Sequence, residues 1–312
     1  MSAIKDKIRF IYIPFLKIGG GFIIIYTFLD WFLFIKLQVF SANETLYDVV
    51  LPFALPWIPH LIWLWPRIKL LHIEKRNGRN PAHLFLFFAW GALIFPTIKA
   101  QDFMVAATGK LTKLDNINSI DKGDATKYYA LQKCFVDTKD IGVFRHVFTN
   151  NGSHGHKNTV IRMSIVIPIY AEIYDTIHAT CNAWIGVMYN EPLGTELFGQ
   201  ELQNECASFF AKSLNDFYTS DLYSFSYLDR VGNNYKRDEF REAILRSKKI
   251  SLTDENIFTA VNTPFEARNA DNLKWLLIGS FIGGLVWFGM ILIPSFDKQK
   301  LQEFIIKHDR LA

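Results

Sequence analysis

The chain has 312 residues, of which 50% are hydrophobic and 21% are charged, a balance that excludes intrinsic disorder. Three cysteines are too few for a disulfide scaffold. A net charge of +4, with no basic stretch interleaved with aromatic residues, argues against nucleic-acid binding. The apolar residues are concentrated toward the two ends of the chain. This distribution predicts a membrane protein that carries a soluble domain.

Four apolar stretches approach the roughly 20 helical residues that cross a hydrocarbon core. They cover residues 18–37, 51–65, 83–98 and 275–294. The second contains Pro52, Pro56 and Pro59, which predicts a bent or partly unwound span. The first follows a basic stretch, as in a signal peptide, but it is too long and no small-residue cleavage site follows it. We therefore interpret it as a retained helix.

The positions of Lys and Arg predict the orientation of these spans. Basic residues occur in residues 1–17, in the connection between spans two and three, and in the tail, whereas residues 38–50 have none. Because basic residues near span ends stay on the cytoplasmic side, both termini should be cytoplasmic. Residues 100–273 would then be periplasmic. They hold 18 Lys and Arg against 22 Asp and Glu, a net charge of −4.

The sequence thus predicts a polytopic α-helical protein of the bacterial inner membrane, with four transmembrane helices and an inserted α+β extracytoplasmic domain of mostly antiparallel sheet. The predicted parts are residues 1–99 (the N-terminus and three spans), 100–273 (the domain), 274–295 (the fourth span) and 296–312 (the tail).

Within the domain, short β-rich runs alternate with turn residues and precede two helical patterns. The predicted strands are Met104–Lys113, Lys127–Asp137, Gly142–Thr149, Thr159–Ile169, Ala183–Tyr189 and Asn256–Asn262. Apolar residues at helical spacing predict a helix over 195–218, and a charged pattern predicts a second over 235–247.

Asp30 is the polar residue of the membrane part that most calls for an explanation. It lies about 18 Å along the first span, where an unpaired carboxylate is costly. His60, in the proline-rich span, is a candidate partner, and the pair could serve proton or ion coupling or hold another membrane protein. The alternative is that Asp30 snorkels to the outer interface beside Trp31.

Small residues form two patches that let helix backbones approach each other in lipid. The fourth span contains Gly279, Gly283 and Gly284, and the first contains Gly19, Gly20 and Gly21. This pattern is compatible both with packing between helices of this chain and with packing against a partner protein.

Residues that could support catalysis or metal binding have no convincing spacing. We find no zinc-protease, phosphate-loop or Gly-x-Ser-x-Gly motif, and His154 and His156 have no further ligand nearby in sequence. We therefore expect no cofactor and no metal. Cys134, Cys181 and Cys206 are either inert thiols or include one disulfide. A membrane-surface hydrolase using His146, His154 or His156 stays an alternative.

Five segments of the sequence carry a resemblance to a known family. They are residues 55–59 (LPWIP), 66–71 (PRIKLL), 107–112 (ATGKLT), 227–233 (YLDRVGN) and 264–269 (PFEARN). Together they resemble the uncharacterised membrane region that precedes a rhomboid-type intramembrane serine protease core in some bacterial proteins. The chain departs from the protease pattern, because it lacks both the serine motif and the number of spans. The resemblance therefore implies the accessory region without the protease.

These observations favour a non-enzymatic accessory, scaffold or sensor subunit of an inner-membrane complex. Its expected partners are the lipid bilayer and other integral membrane or periplasmic proteins, and nucleic acid is excluded. The main alternative is a proton- or ion-coupled transport component using Asp30 and His60.

Overall fold

The computed structural model describes residues 2–36, 44, 46–72, 81–122, 126–151, 157–177, 180–193 and 199–309. The chain divides into two compact units. The helical unit comprises Met1–Thr108 and Arg268–Ala312, and the sheet unit comprises Gly109–Ala267.

The helices and strands are numbered here in chain order. The helices are α1 (Ile4–Leu33), α2 (Leu46–Ile68), α3 (Ala82–Thr108), α4 (Gly199–Thr219), α5 (Tyr235–Ile244), α6 (Ala270–Leu292) and α7 (Lys298–Asp309). The strands are β1 (Leu71–His72), β2 (Leu111–Leu114), β3 (Tyr128–Leu131), β4 (Phe135–Val136), β5 (Gly142–Asn151), β6 (Lys157–Tyr170), β7 (Thr180–Leu193), β8 (Tyr227–Arg230), β9 (Ile250–Val261) and β10 (Ser295–Phe296).

The helical unit contains four helices that are long and apolar enough to cross a membrane: α1, α2, α3 and the helix that includes α6. The chain therefore has the character of a membrane protein, as its composition predicts. The second helix is interrupted by a turn at Leu55 and Pro56, within the segment whose prolines predict a break.

Helix α3 is longer than the apolar run from which it is predicted. It continues past the polar residues Lys99, Gln101 and Asp102 to Thr108, so the strand predicted to begin at Met104 is wrong for residues 104–108. The helix continues through these polar residues, and a Lys99–Asp102 ion pair of 2.7 Å links successive turns. The helical unit therefore extends farther along the chain than hydropathy indicates.

One end of the helical unit gathers segments that are far apart in sequence. The Lys7 ammonium donates hydrogen bonds to the carbonyls of Leu292 (3.0 Å) and Pro294 (2.5 Å), at the end of α6. Strand β1, just after α2, pairs with β10, just after α6. A lysine at a helix C-terminus satisfies free carbonyls and complements the helix dipole. The start of α1, the end of α2 and the end of α6 thus lie together.

Gly279 and Gly283 of α6 are used for packing against α3 within this chain. A Cβ on Gly279 would lie 2.5 Å from the Phe95 ring, and one on Gly283 would lie 2.7 Å from the Ala92 carbonyl oxygen. A Cβ on Gly284 would lie 3.4 Å from the Tyr12 hydroxyl of α1. Of the α1 glycines, only Gly19 is confined, by Leu93 at 2.7 Å. A Cβ added at Gly20 or Gly21 would have no atom of the described structure within 4 Å.

We expect Gly283→Leu to lower the stability of the helical unit by about 1–3 kcal/mol, because overpacking forces α6 away from α3. Gly20→Leu is the matched control, and its added side chain should cost less than about 0.5 kcal/mol. Unfolding of the purified full chain in a mixed-detergent titration measures both. Equal losses for the two variants would contradict the packing described here.

The sheet unit is built on a mixed sheet with the order β2-β3-β8-β9-β7-β6, and β4 and β5 both pair with β6. The β2–β3 and β7–β9 pairs are parallel, and the β3–β8, β4–β6, β5–β6, β6–β7 and β8–β9 pairs are antiparallel. Strand β8 is absent from the sequence prediction, since four residues with two charges carry too little alternation to indicate a strand.

Helices α4 and α5 cover opposite faces of this sheet. Alternate residues of β6, including Ile161 and Met163, pack with Phe209 and Phe217 of α4. On the other face, residues that include Val166 and Trp184 pack with Phe240, Ala243 and Ile244 of α5. Burial on both faces explains why the central strands are almost continuously apolar.

Candidate functional site

A polar cluster lies inside the helical unit, between α1, the start of α2, and α3. It consists of Tyr26, Thr27, Asp30, Tyr47 and Gln101, and we call it the polar cluster. The side chains of Thr27, Asp30 and Gln101 are 6%, 4% and 2% exposed. Burial of so many polar groups in an apolar unit is costly unless they are hydrogen-bonded.

Hydrogen bonds to one backbone carbonyl tie the polar cluster together. The Tyr26 hydroxyl donates to the carbonyl of Tyr47 at 2.8 Å, and Gln101 Nε2 donates to the same oxygen at 3.0 Å. Gln101 Nε2 also lies 3.5 Å from the Tyr26 hydroxyl, and its side chain is within hydrogen-bonding reach of the Asp30 carboxyl. The cluster therefore joins three helices through polar contacts.

Three oxygen atoms of the polar cluster have no hydrogen-bond partner in the described part of the chain. They are Thr27 Oγ1, Asp30 Oδ1 and Gln101 Oε1. All three can accept hydrogen bonds, and the Thr27 hydroxyl can also donate one.

Asp30 is buried within the helical unit, and it does not pair with His60. It faces Gln101 of α3, which supplies the polar partner that the interface would otherwise provide. His60 instead lies beside Phe15, with ring centroids 6.3 Å apart. Phe15 precedes Asp30 by 15 residues of helix, which is about 22 Å. A direct pair of Asp30 and His60 is therefore wrong, and the transport alternative loses its shared site.

His60 is a buried residue with a local role in α2. Its Nδ1 donates to the Pro56 carbonyl at 2.5 Å, which fixes the tautomer because a carbonyl only accepts. Nε2 is buried without a hydrogen-bond partner among the described residues.

Gln101 is the functional candidate that the sequence interpretation missed. It follows the apolar run of the third span by three residues, so hydropathy assigns it to the outer domain. The signal that could have found it is helical spacing, since Thr97 and Gln101 lie one turn apart on the buried side of α3.

The sheet unit contains a second polar group, centred on Glu239 of α5. Its carboxylate accepts hydrogen bonds from Arg162 and, at 2.8 Å, from Ser164, both on β6. His146 Nδ1 of β5 lies 3.5 Å away. The Arg162 guanidinium is held between the rings of Phe148 and Tyr235 at 4.9 and 4.8 Å. This network fastens α5 to the sheet.

The Glu239 network lacks the geometry of a hydrolase site. A catalytic serine needs a base that takes its proton. Ser164 is fully buried and its hydroxyl donates to a carboxylate that Arg162 already neutralises. His146 contacts the same carboxylate, and no hydrogen bond between it and Ser164 is formed in the described structure. The network supports a structural role.

The three cysteines are free thiols. Cys181 is buried, and its thiol contacts the carbonyl oxygens of Ala183 (3.1 Å) and Ile169 (3.8 Å). Burial raises the pKa of the Cys181 thiol to about 11, and burial also raises the pKa of Cys134 and Cys206. Raised pKa values leave little thiolate at neutral pH, as expected of unreactive thiols.

Among the described residues, no group of three or more His, Cys, Asp or Glu side chains could hold a metal ion. His154 and His156 lie outside the described residues. Comparison with models of known protein families, with curated proteins and with solved structures found no match to this chain.

Proposed function

We propose that this chain is a non-enzymatic accessory subunit of an inner-membrane complex, a scaffold or sensor whose sheet unit binds partner proteins in the periplasm. The helical unit would anchor it in the bilayer. The observation that carries the proposal is the edge strand of the sheet unit.

Strand β5 is an edge strand of ten residues that is hydrogen-bonded to a neighbouring strand, β6, on one side. Its register with β6 runs without a shift from Gly142–Val166 to Asn151–Lys157, and no described strand pairs with its other side. A long straight edge strand presents unpaired backbone N–H and C=O groups, onto which an extended segment of another protein can add. Edges of this kind are normally shortened, bulged or covered unless they are used.

The orientation of the helical unit is inferred from charge and from the end at which its segments meet. The start of α1, the end of α2 and the end of α6 lie together, and this end carries Lys5, Lys7, Arg9, Arg67 and Lys69. Basic residues concentrated at one end of a bundle favour a cytoplasmic location for that end. The sheet unit is inserted between α3 and α6, at the opposite ends of these helices, which supports a periplasmic location.

Short connections link the two units in the chain. Two residues separate α3 from β2, and residues 262–269 separate β9 from α6. A binding domain attached to the membrane at both of its ends has a high effective concentration for membrane-anchored partners. Such attachment suits an accessory subunit better than a freely diffusing binder.

Site-specific photo-crosslinking in intact cells tests the docking edge. A photoreactive residue replaces Val147 on β5, which is 42% exposed, or Leu245 after α5, which is 76% exposed. We expect discrete protein adducts from position 147 and none from position 245. Adducts of equal yield at both positions, or none at 147 when the chain is present at its native level, would contradict edge binding.

A further inference from the structure

Three side chains that carry hydrogen-bond donors come together where α2 ends and α3 begins. The Trp65 indole stacks on the His83 imidazole, with ring centroids 4.9 Å apart and an angle of 23° between the rings. The Lys69 ammonium, one residue beyond the end of α2, lies 5.2 Å from the centroid of the Trp65 ring. An indole ring attracts a cation through its quadrupole. These three residues form one surface, which we call the Trp65 stack.

The donors of the Trp65 stack are open to a ligand. Lys69 and His83 are exposed, and within the described ranges no carboxylate forms an ion pair with Lys69. The side chains of Lys69, Trp65 and His83 form no hydrogen bond in the part of the chain that the structure describes. Together they offer an ammonium, an indole N–H and an imidazole N–H, which suits an anion with several acceptor oxygens.

Apolar side chains continue the surface of the Trp65 stack along α2 and α3. Leu61 precedes Trp65 by four residues, and Phe87 follows His83 by four residues. Residues four apart lie on the same side of a helix, about one turn from each other. Leu61 and Phe87 are both about half exposed, and both belong to helices that are long and apolar enough to cross a membrane. This continuation therefore suits a hydrocarbon chain.

The Trp65 stack lies at the end of the helical unit where basic residues are concentrated. Besides Lys69, this end carries Lys5, Lys7, Arg9 and Arg67. Positive charge there attracts anionic headgroups and repels the ammonium group of a zwitterionic lipid. Tryptophan is enriched at this level of a bilayer, because its ring contacts apolar chains while its N–H reaches the headgroups. Charge and depth thus agree on one kind of ligand.

We propose that Lys69, Trp65 and His83 bind the phosphate group of an anionic phospholipid, whose acyl chain lies along Leu61 and Phe87. The Lys69 ammonium supplies the charge, and the indole and imidazole N–H groups donate hydrogen bonds to the phosphate oxygens. The site is separate from the partner-binding edge of the sheet unit and requires only that the helical unit lies in a bilayer. The chain thereby selects lipids by their headgroup.

Native mass spectrometry of the full chain in mild detergent tests the site by counting bound lipids. We expect dioleoyl phosphatidylglycerol to bind more tightly than dioleoyl phosphatidylcholine, because the two lipids differ only in their headgroups. Lys69→Gln should weaken the binding of phosphatidylglycerol about tenfold, as expected for the loss of a hydrogen bond to a charged group. Lys5→Gln is the matched control. It removes the same charge from an exposed residue at the same end and should weaken binding much less.

Three results would overturn the proposal. Equal affinity of the wild-type chain for the two lipids would exclude a site for an anionic headgroup, and this comparison needs no variant to fold. Equal weakening by Lys69→Gln and Lys5→Gln would show a general attraction to the basic end of the helical unit. Glycerophosphoglycerol, the same headgroup without acyl chains, should bind far more weakly than the lipid. Binding of the two with the same affinity would mark a site for free phosphate esters.

Discussion

Replacing Glu239 with alanine is expected to lower the free energy of unfolding of the sheet unit by about 3–5 kcal/mol. Arg162 is about 14% exposed, and its guanidinium lies between two rings, so it cannot turn to water once its carboxylate is removed. Ser164 would also lose the acceptor of its hydroxyl. Chemical denaturation of the full chain in detergent, followed by pulsed labelling of the buried Cys181 thiol, measures the loss.

Glu242→Ala is the control for this variant. Glu242 pairs at 3.4 Å with Arg246, which follows the end of α5, and both side chains are about half exposed. Exposed ion pairs contribute about 0–1 kcal/mol to stability, so Glu242→Ala should change the free energy of unfolding very little. The double variant Glu239→Leu with Arg162→Met should recover much of the lost stability, because no buried charge is then left unpaired. A loss as large as that of Glu239→Ala alone would contradict the interpretation of the network.

Gly142→Ala is expected to lower the free energy of unfolding of the sheet unit by about 3 kcal/mol or more. A Cβ at this position would lie 2.1 Å from the backbone carbonyl oxygen of Ala243 and 2.9 Å from Val166. The opposing atom belongs to the backbone of α5, so no rotamer change relieves the clash and the helix must move from the sheet. Thermal unfolding and limited proteolysis of the full chain report this displacement.

Two further substitutions separate a backbone clash from a side-chain clash. The three atoms nearest to a Cβ at Gly186 all belong to the Phe240 ring, the nearest at 2.6 Å, so Gly186→Ala should be relieved by Phe240→Leu. Gly142→Ala should not be relieved by Phe240→Leu. Gly91→Ala, with no described atom within 4 Å of the added methyl, should be neutral. Rescue of Gly142→Ala by the Phe240 change would contradict the close approach of α5.

The sequence predicts the elements of this protein better than their ends. Length and hydropathy indicate the four long helices, and β-rich runs bounded by turn residues indicate β5, β6 and β7, because each pattern is local. Helix α3 extends beyond its prediction since hydropathy reports the apolar part of a helix and not its hydrogen bonding. The Glu239 network could not be predicted, because it joins β6 to α5 over 75 residues or more of chain.

The partner of Asp30 illustrates the same limit within one unit. His60 is a polar residue of another predicted span, but a span prediction does not say which residues share a level in the bundle. Helices α1 and α2 run in opposite directions, which places Tyr47 beside Tyr26 and His60 beside Phe15. Gln101 lies at the level of Asp30 only because α3 continues past its apolar run.

Labelling of single cysteines in spheroplasts tests the central claim, that the sheet unit lies outside the cytoplasm. In a cysteine-free chain, Lys212→Cys places a thiol on the exposed side of α4, and Gln302→Cys places one on exposed α7. A membrane-impermeant maleimide should modify position 212 in intact spheroplasts and position 302 only after lysis. Modification of position 302 before lysis, with position 212 protected, would contradict the orientation and the periplasmic docking that depends on it.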